Sequence, residues 1–375
     1  MGLTRCRLGS LLEQVDKRNE LLHYGSDDVI GISVAKELIP TKANLDGVNL
    51  CNYKILNPGE FVYLADTSRR GDKIAIAFND SSNAYIASSI NMVFKLNEKA
   101  ADFLDATYLR MYFNRPEFDR YARFHSWGSA RETFSWDELC NIELDLPPLA
   151  IQKSFSTIYA ELQFRLSRYN REVEDLNLAI AGTLDNCKKT ENRTRLGDLL
   201  IPIDRRNDKG LDSESRGISL DHLFIPSRDR ISNPKNYKVV LPGEIACNLI
   251  HVGRDKAFPI AQNYGIEPIL VSPDYHVFRA VDSTIASYLM AWFSRPEVGR
   301  FGWYICDADI RGRLNISSFL SLYVPLPTRS QLNAISMLQT ARDKIAISAS
   351  TLANLLQNIC PVLIKGSIDE AQREG

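Results

Sequence analysis

The sequence predicts an α+β protein: two similar mixed α/β domains separated by two long antiparallel coiled-coil helices, with the halves related by internal duplication about a pseudo-twofold axis. Three observations carry that expectation. Blocks of sequence recur in the same order in the second half of the chain, each set of blocks runs into a long amphipathic segment, and the apolar positions of the first segment alternate in steps of four and three. Such spacing keeps one stripe turned toward a partner helix. The expected order is a first domain over residues 1–147, a long helix over 148–190, a second domain over 191–328, a second long helix over 329–368 and a short tail over 369–375.

The repeat is read from four blocks. Arg7 to Asn19 (RLGSLLEQVDKRN) returns as Arg195 to Asn207 (RLGDLLIPIDRRN), displaced by 188. Asn52-Tyr53-Lys54 and Pro58-Gly59-Glu60 return as Asn236-Tyr237-Lys238 and Pro242-Gly243-Glu244, displaced by 184. Phe113 to Tyr121 (FNRPEFDRY) returns as Phe293 to Phe301 (FSRPEVGRF), displaced by 180, and the segment ending at Gln152 matches the one ending at Gln331, displaced by 179. A displacement that shrinks while order is kept is what two related domains give when loops between their elements shorten.

Within each copy, Leu8, Leu11 and Leu12, and likewise Leu196, Leu199 and Leu200, predict a short amphipathic helix. Strand-like runs follow, among them Lys73 to Phe78, Ile86 to Leu96 and Ile266 to Arg279, bounded by Gly, Asn, Asp and Ser turn signals. A helix carrying Tyr108, Leu109, Met111 and Tyr112, or Tyr288, Leu289, Trp292 and Phe293, is broken by Arg115-Pro116 or Arg295-Pro296. A polar turn, a short strand (Ile142 to Leu146; Leu322 to Leu326) and a proline then lead into the long helix.

In the first long helix the apolar seam is Leu162, Leu166, Tyr169, Val173, Leu176 and Ile180. In the second it is Ile335, Leu338, Ile345, Leu352, Leu356 and Ile359, with Ala349 between and Arg342 interrupting. A lone helix draws most of its stability from tertiary burial, so the two seams are expected to cover one another. A helix of about 40 residues at ~1.5 Å per residue spans ~60 Å, enough to act as a ruler between two domains. Pro361 is expected to end or kink the second helix near Ile359, leaving the polar SIDEAQREG frayed.

Composition excludes several function classes. Residues 1–150 hold 17 Lys and Arg against 21 Asp and Glu, and residues 191–330 hold 18 against 16, so neither half is basic as a whole. A nucleic-acid reading must therefore rest on local clusters. The seven cysteines are scattered and never form a CxxC, which argues against a zinc knuckle or disulfide framework. No apolar run reaches the ~18 residues of a membrane span and the N-terminus has no apolar signal core, so a cytoplasmic, membrane-free protein is expected. The five histidines, His23, His125, His222, His251 and His276, stand apart from one another. No GxGxxG follows a strand and no phosphate loop exists. Asp145-Leu146-Pro147-Pro148-Leu149 lacks the aromatic of an adenine methyltransferase motif, and Pro273-Asp274 lacks the Glu-x-Lys of a nuclease. The expectation is a protein that is not an enzyme by itself.

Two loops per copy concentrate glycine, small polar residues and cations. In the first copy they are Thr67 to Lys73, with Arg69, Arg70 and Lys73, and Ser126 to Arg131, with Trp127, Ser129 and Arg131. In the second they are Asn248 to Lys256, with His251, Arg254 and Lys256, and Asp309 to Arg313, with Arg311 and Arg313. Glycine permits close backbone approach, and arginine offers a rigid fork matched to phosphate or a guanine edge. The same residues also suit a solvated hairpin with no ligand. Arg7-Leu8-Gly9 and Arg115-Pro116-Glu117 read as structural.

Taken together, these motifs resemble the DNA specificity (S) subunit of type I restriction–modification systems. The resemblance rests on an R-L-G-D-L-like opening, a P-G-E followed by strands, and a closing pattern that runs into a long helix starting with Gln. In the first copy that closing pattern is Gly128-Ser129, Leu139, Ile142, Leu144, Leu146-Pro147-Pro148 and Gln152; in the second it is Ile316, Phe319, Val324-Pro325-Leu326-Pro327 and Gln331. The second copy departs from it in having Asp309-Ile310-Arg311-Gly312 where Gly-Ser would stand. The resemblance spans essentially the whole chain. It implies two target-recognition domains, each reading one half of a bipartite site in double-stranded DNA, and a helix pair that sets the spacer. It further implies two methyltransferase (M) subunits docked on this chain and restriction/translocase (R) subunits joining for cleavage. S-adenosylmethionine, ATP and Mg are then expected on the partner subunits, with no cofactor or metal on this chain. A two-domain protein–protein scaffold that does not contact DNA explains the helices and the duplication equally well, and remains the alternative.

Overall fold

In the computed structural model the chain forms two compact units, residues 1–168 with 349–375, and residues 169–348. The structure describes residues 2–33, 35–66, 73–128, 132–189, 192–208, 210–211, 214–220, 222–227, 233–250, 252–306 and 313–374.

In chain order the first unit carries β1 (Thr4–Arg7), β2 (Leu12–Val15), β3 (Val29–Ile32), β4 (Leu38–Pro40), β5 (Lys54–Leu56), β6 (Phe61–Leu64), β7 (Ala75–Phe78), β8 (Tyr85–Ala87) and β9 (Met92–Leu96). It continues through α1 (Ala106–Phe113), α2 (Pro116–Phe124), α3 (Trp136–Cys140), β10 (Glu143–Leu146) and the first part of α4 (Leu149–Lys188). A four-stranded antiparallel sheet in the order β2-β9-β6-β7 lies at its centre. Phe61 stands opposite both Phe78 and Phe94. A second sheet, β4-β3-β8-β5, contains a parallel pair in which Val29 faces Ile86, and β1 pairs with β10.

Side chains alternate between faces along a strand, and here both faces of the central sheet are covered. Phe61, Tyr63, Ile76, Phe78 and Phe94 pack with the helices. Val62, Ala75, Ala77 and Val93 pack against Ile32, Leu56 and Ala87 of the second sheet. That double burial is why FVYL and AIAF read as continuous apolar runs with no visible period. Asp105 caps α1 by accepting from the Tyr108 amide, and Pro116 occupies the first turn of α2, where its missing N–H costs nothing. Gln152, fully buried, donates from Nε2 to the Phe103 and Pro147 carbonyls at 2.7 Å each and fixes the start of α4.

The second unit carries the rest of α4, then β11 (Arg193–Arg195), α5 (Leu196–Leu199), β12 (Leu200–Ile203), β13 (Arg216–Ile218), β14 (Phe224–Pro226), β15 (Lys238–Val240), β16 (Ile245–Cys247), α6 (Val252–Asp255), β17 (Ile260–Gln262), β18 (Ile269–Val271) and β19 (His276–Ala280). It ends with α7 (Ser283–Phe293), α8 (Pro296–Ile305), α9 (Ile316–Leu320), β20 (Tyr323–Pro325) and the first part of α10 (Arg329–Glu374). Its central sheet is β12-β19-β16-β17, and β11 pairs with β20. The pairs β13–β14 and β15–β18 are linked by a parallel bridge between Ser215 and Leu270. Ile180, Leu184 and Cys187 of α4 and Leu332 and Ile335 of α10 belong to this unit's core. Asp185 pairs with Arg295 at 2.6 Å and Lys188 with Glu297 at 2.8 Å, tying α4 to α8.

Three expectations are corrected. The predicted amphipathic helix at Leu8 is a single 3-10 turn, Leu8–Ser10, followed directly by β2; at Leu196 it is the one-turn α5 followed by β12. Tertiary bonds end it: the Leu11 carbonyl accepts from the Asn97 amide at 3.0 Å and the Leu199 carbonyl from the Val281 amide at 3.0 Å, where a longer helix would need those oxygens for itself. Gly9 presses on α3, where an added Cβ would lie 2.6 Å from the Cys140 Cβ. The second long helix neither ends near Ile359 nor leaves a frayed 369–375 tail, since α10 runs through Pro361 to Glu374. In the first unit its residues Cys360, Leu363 and Ile364 join Tyr159 in the core, and Ser367 and Ala371 are fully buried. Ser367 Oγ lies 2.7 Å from the Tyr108 hydroxyl. Burial at this density outweighs the ~3 kcal/mol that an interior proline costs. Finally, α10 is long and apolar enough to cross a membrane by length and composition, where no such segment was expected.

Candidate nucleic-acid interface

In the first unit the loop after β6 and the loop after α2 are joined at their bases. Asp66 and Trp127 both bridge Thr133. The Trp127 amide donates to the Thr133 carbonyl at 3.1 Å, the reverse bond is 3.0 Å, and the Phe134 amide donates to Ala65 at 2.9 Å. Gly128 has φ +144°, a backbone state that only glycine takes readily. Lys73 is exposed at the trailing end of the first loop, while Arg69, Arg70, Ser129 and Arg131 lie outside the described residues. Beside these bases two aromatics face solvent, Phe124 at 75% and Trp127 at 64% exposure. His125 lies over Tyr121 with ring centroids 4.3 Å apart and places Nδ1 3.3 Å from Glu138 Oε2. Arg123 pairs with Glu132.

A buried polar cluster sits behind this edge. Asp119 of α2 accepts from the Ile74 amide at 3.1 Å, one residue after Lys73. The same carboxylate pairs at 2.7 Å with the Lys36 ammonium, which reaches it from the β3–β4 turn. Lys36 also donates to the Phe113 carbonyl at the end of α1, where a cation complements the helix dipole. Burial pushes the Lys36 ammonium below its ordinary range, and Asp119 opposes that shift.

The second unit joins its two loops by the same kind of backbone tie. The Leu314 amide donates to the Leu249 carbonyl at 2.9 Å, and the Asn248 amide to Pro259 at 2.8 Å. The expected loop from Asn248 to Lys256 contains the helical turn α6. Helix α8 approaches this segment closely enough to require glycine twice: an added Cβ on Gly299 would sit 2.3 Å from the Lys256 carbonyl oxygen, and one on Gly302 2.6 Å from the Phe258 ring. Lys256, at φ +50°, holds its ammonium 5.1 Å from the Trp303 ring centre, a cation–π arrangement. Trp303 is 53% and Tyr304 81% exposed. Arg313 is exposed, the backbone of Arg254 lies in α6 with its side chain undescribed, and His251 and Arg311 lie outside the described residues.

Along α4, Leu162, Leu166, Tyr169, Val173 and Leu176 are half-buried and Ile180 is buried; along α10, Ile335 and Leu352 are buried and Leu338, Ile345, Leu356 and Ile359 half-buried. Among the described residues no group of three or more His, Cys, Asp or Glu side chains is placed to hold a metal ion.

Reading the sequence missed Phe124, Trp303 and Tyr304. Their signal was an aromatic on the polar face of each proline-led helix, in PEFDRYARF and PEVGRFGWY. It also missed a fifth repeated block, Gly31-Ile32-Ser33 to Ile39-Pro40, which returns as Gly217-Ile218-Ser219 to Ile225-Pro226.

The chain has the fold of a type I restriction–modification S subunit. The crystal structure of the S subunit from M. genitalium matches 98% of this chain over 96% of its own, at a TM-score of 0.60 and 12% identity. The HsdS subunit from Thermoanaerobacter tengcongensis aligns over 99% of this chain and 96% of its own, at a TM-score of 0.34 and 15% identity. A chain from a study of type I R-M complex assembly and conformational transition aligns over 99% and 97%, at 0.39 and 16%. The fold assignment rests on the first. No protein-family model and no curated protein sequence matches the chain.

Proposed function

We propose that this chain is the non-catalytic, sequence-specific DNA-recognition subunit of a type I restriction–modification complex. The observation that carries the reading is the paired loop edge, which occurs once in each unit. In both, one loop leaves the second sheet strand and the other leaves the proline-led helix; their bases are tied by backbone hydrogen bonds, and cations and exposed aromatics flank them. An edge of this kind offers forked or point cations to phosphates and base edges, and flat rings to sugars or bases.

The reading includes an internal duplication. The two central sheets run in equivalent order, β2-β9-β6-β7 and β12-β19-β16-β17, and the parallel pair Val29–Ile86 has its counterpart in the bridge Ser215–Leu270. It also includes a pairing of α4 with α10 as an antiparallel coiled coil. Support comes from the first unit, where Phe155 lies against Gly366 and Tyr159 interacts with Cys360, so the register falls on one helix as it rises on the other. Each recognition domain reads one half of a bipartite duplex site, and the helix pair sets the spacer and docks two methyltransferase subunits. Restriction/translocase subunits join the assembly in the cytoplasm. S-adenosylmethionine, ATP and Mg act on those partners.

Coexpression with adenine methyltransferase subunits, followed by mapping of methylated adenines, tests this. The expected result is a single bipartite motif with a fixed gap that disappears when this chain is omitted. Methylation that is unchanged by its omission would favour the DNA-free scaffold.

A further inference from the structure

The β3–β4 turn and the β13–β14 turn place a non-glycine residue in the left-handed region at the same point. Lys36 has φ +64° and His222 φ +61°. Both turns close alike: the Lys36 amide donates to Ser33 at 3.0 Å and the His222 amide to Ser219 at 3.1 Å. Left-handed backbone is unfavourable for such residues and persists where surroundings over-determine it. In each case the side chain reaches the trailing end of a DNA-facing loop. Lys36, with its side chain 5% exposed, pairs with Asp119, 12% exposed, whose carboxylate accepts from the Ile74 amide just before β7. His222 Nδ1 lies 3.1 Å from the carbonyl oxygen of Ile260, the first residue of β17.

Stability alone does not account for the charged version. A well-packed apolar pair holds a core as firmly as a buried ion pair, because desolvation offsets most of the attraction. What the ion pair adds is direction: one carboxylate is aimed at one amide, and that amide fixes where the loop rejoins the sheet. The different chemistry in the second unit, an imidazole against a carbonyl with Gly299 in place of Asp119, reaches the same junction.

We propose that Lys36, acting through Asp119, and His222 are positioning residues, each bracing the trailing end of its own unit's recognition loop and thereby setting discrimination at one half-site. The proposal rests on the DNA-specificity reading above. The test uses the full chain assembled with its methyltransferase subunits, and compares methylation of the cognate duplex with duplexes carrying one base-pair substitution in either half-site. Lys36→Met and Asp119→Asn should each raise relative methylation of duplexes substituted in one half-site by about tenfold while changing the other by less than about twofold. His222→Leu should act on the opposite half-site. If Lys36→Met fails to assemble, Asp119→Asn decides, since it keeps the side chain's volume and removes only the charge by which Lys36 holds it aimed at the Ile74 amide. Equal changes at both half-sites, no change in any variant, all variants acting on one half-site, or loss of assembly with both first-unit variants would overturn the positioning roles. A wild-type complex without any bipartite preference would instead overturn the DNA reading itself.

Discussion

Glu297 shows how one side chain couples a helix start to its neighbours. The Lys188 ammonium, then its own backbone amide and Arg295, hold its carboxyl at about 2 against an ordinary 4.5. A carboxyl drawn down in the folded state stabilises the fold above its unfolded pKa, and that contribution is lost as pH falls toward the folded value. The second unit should therefore lose stability between roughly pH 4.5 and 2, and Glu297→Gln should flatten that part of a denaturation-against-pH curve. An unchanged curve would remove Glu297 from the acid response. Gly299 makes a second prediction: Gly299→Ala forces a methyl against the Lys256 carbonyl, and overpacking against backbone should destabilise by about 1–3 kcal/mol in chemical denaturation. If the proposed interface holds DNA, Lys256→Ala and Lys73→Ala tell base from phosphate contact. Loss of a base contact costs about 1–3 kcal/mol at one site position, whereas loss of a phosphate contact weakens all sequences alike.

Elements follow from the same forces acting over longer stretches. The proline-led helices α2 and α8 start where Arg115-Pro116 and Arg295-Pro296 place them, because proline's fixed φ suits the first helical turn. Pro361 is the opposite case, an interior proline carried by packing on both sides of it. Pro361→Ala restores a backbone donor at a half-buried position, and should raise stability by up to about 3 kcal/mol, read as an increase in Tm. A lower Tm would mean that the ring itself fills core volume. The left-handed Gly59 and Gly243 explain both copies of Pro-Gly-Glu. Proline followed by left-handed glycine makes a tight turn, and the glutamate folds back to accept from the Asn57 or Leu241 amide.

At the scale of the whole molecule, near-neutral halves and a DNA-reading role are compatible if the phosphate grip is shared. Purified alone, the chain should bind DNA more weakly than the full complex, and equal affinity would contradict the division of labour. Removing about seven residues, one heptad, from each long helix should change the gap between half-sites and leave each half-site intact. A changed half-site with an unchanged gap would contradict the ruler.

The helix breaks at Arg115-Pro116 and Arg295-Pro296 and the extent of α4 were legible in the chain because each depends on local spacing or on a residue with restricted φ. The basic loops were legible as candidates for the same reason, since glycine and arginine clusters stand out by composition. The length of α10, the reduction of the opening helices to single turns, the burial of both sheet faces and the link from Lys36 through Asp119 to Ile74 were decided only by tertiary structure. Those features depend on which distant groups meet. Burial at Cys360 and Ser367, an amide at Asn97 or a carboxylate at Asp119 overrides local propensity by more than the local terms can oppose.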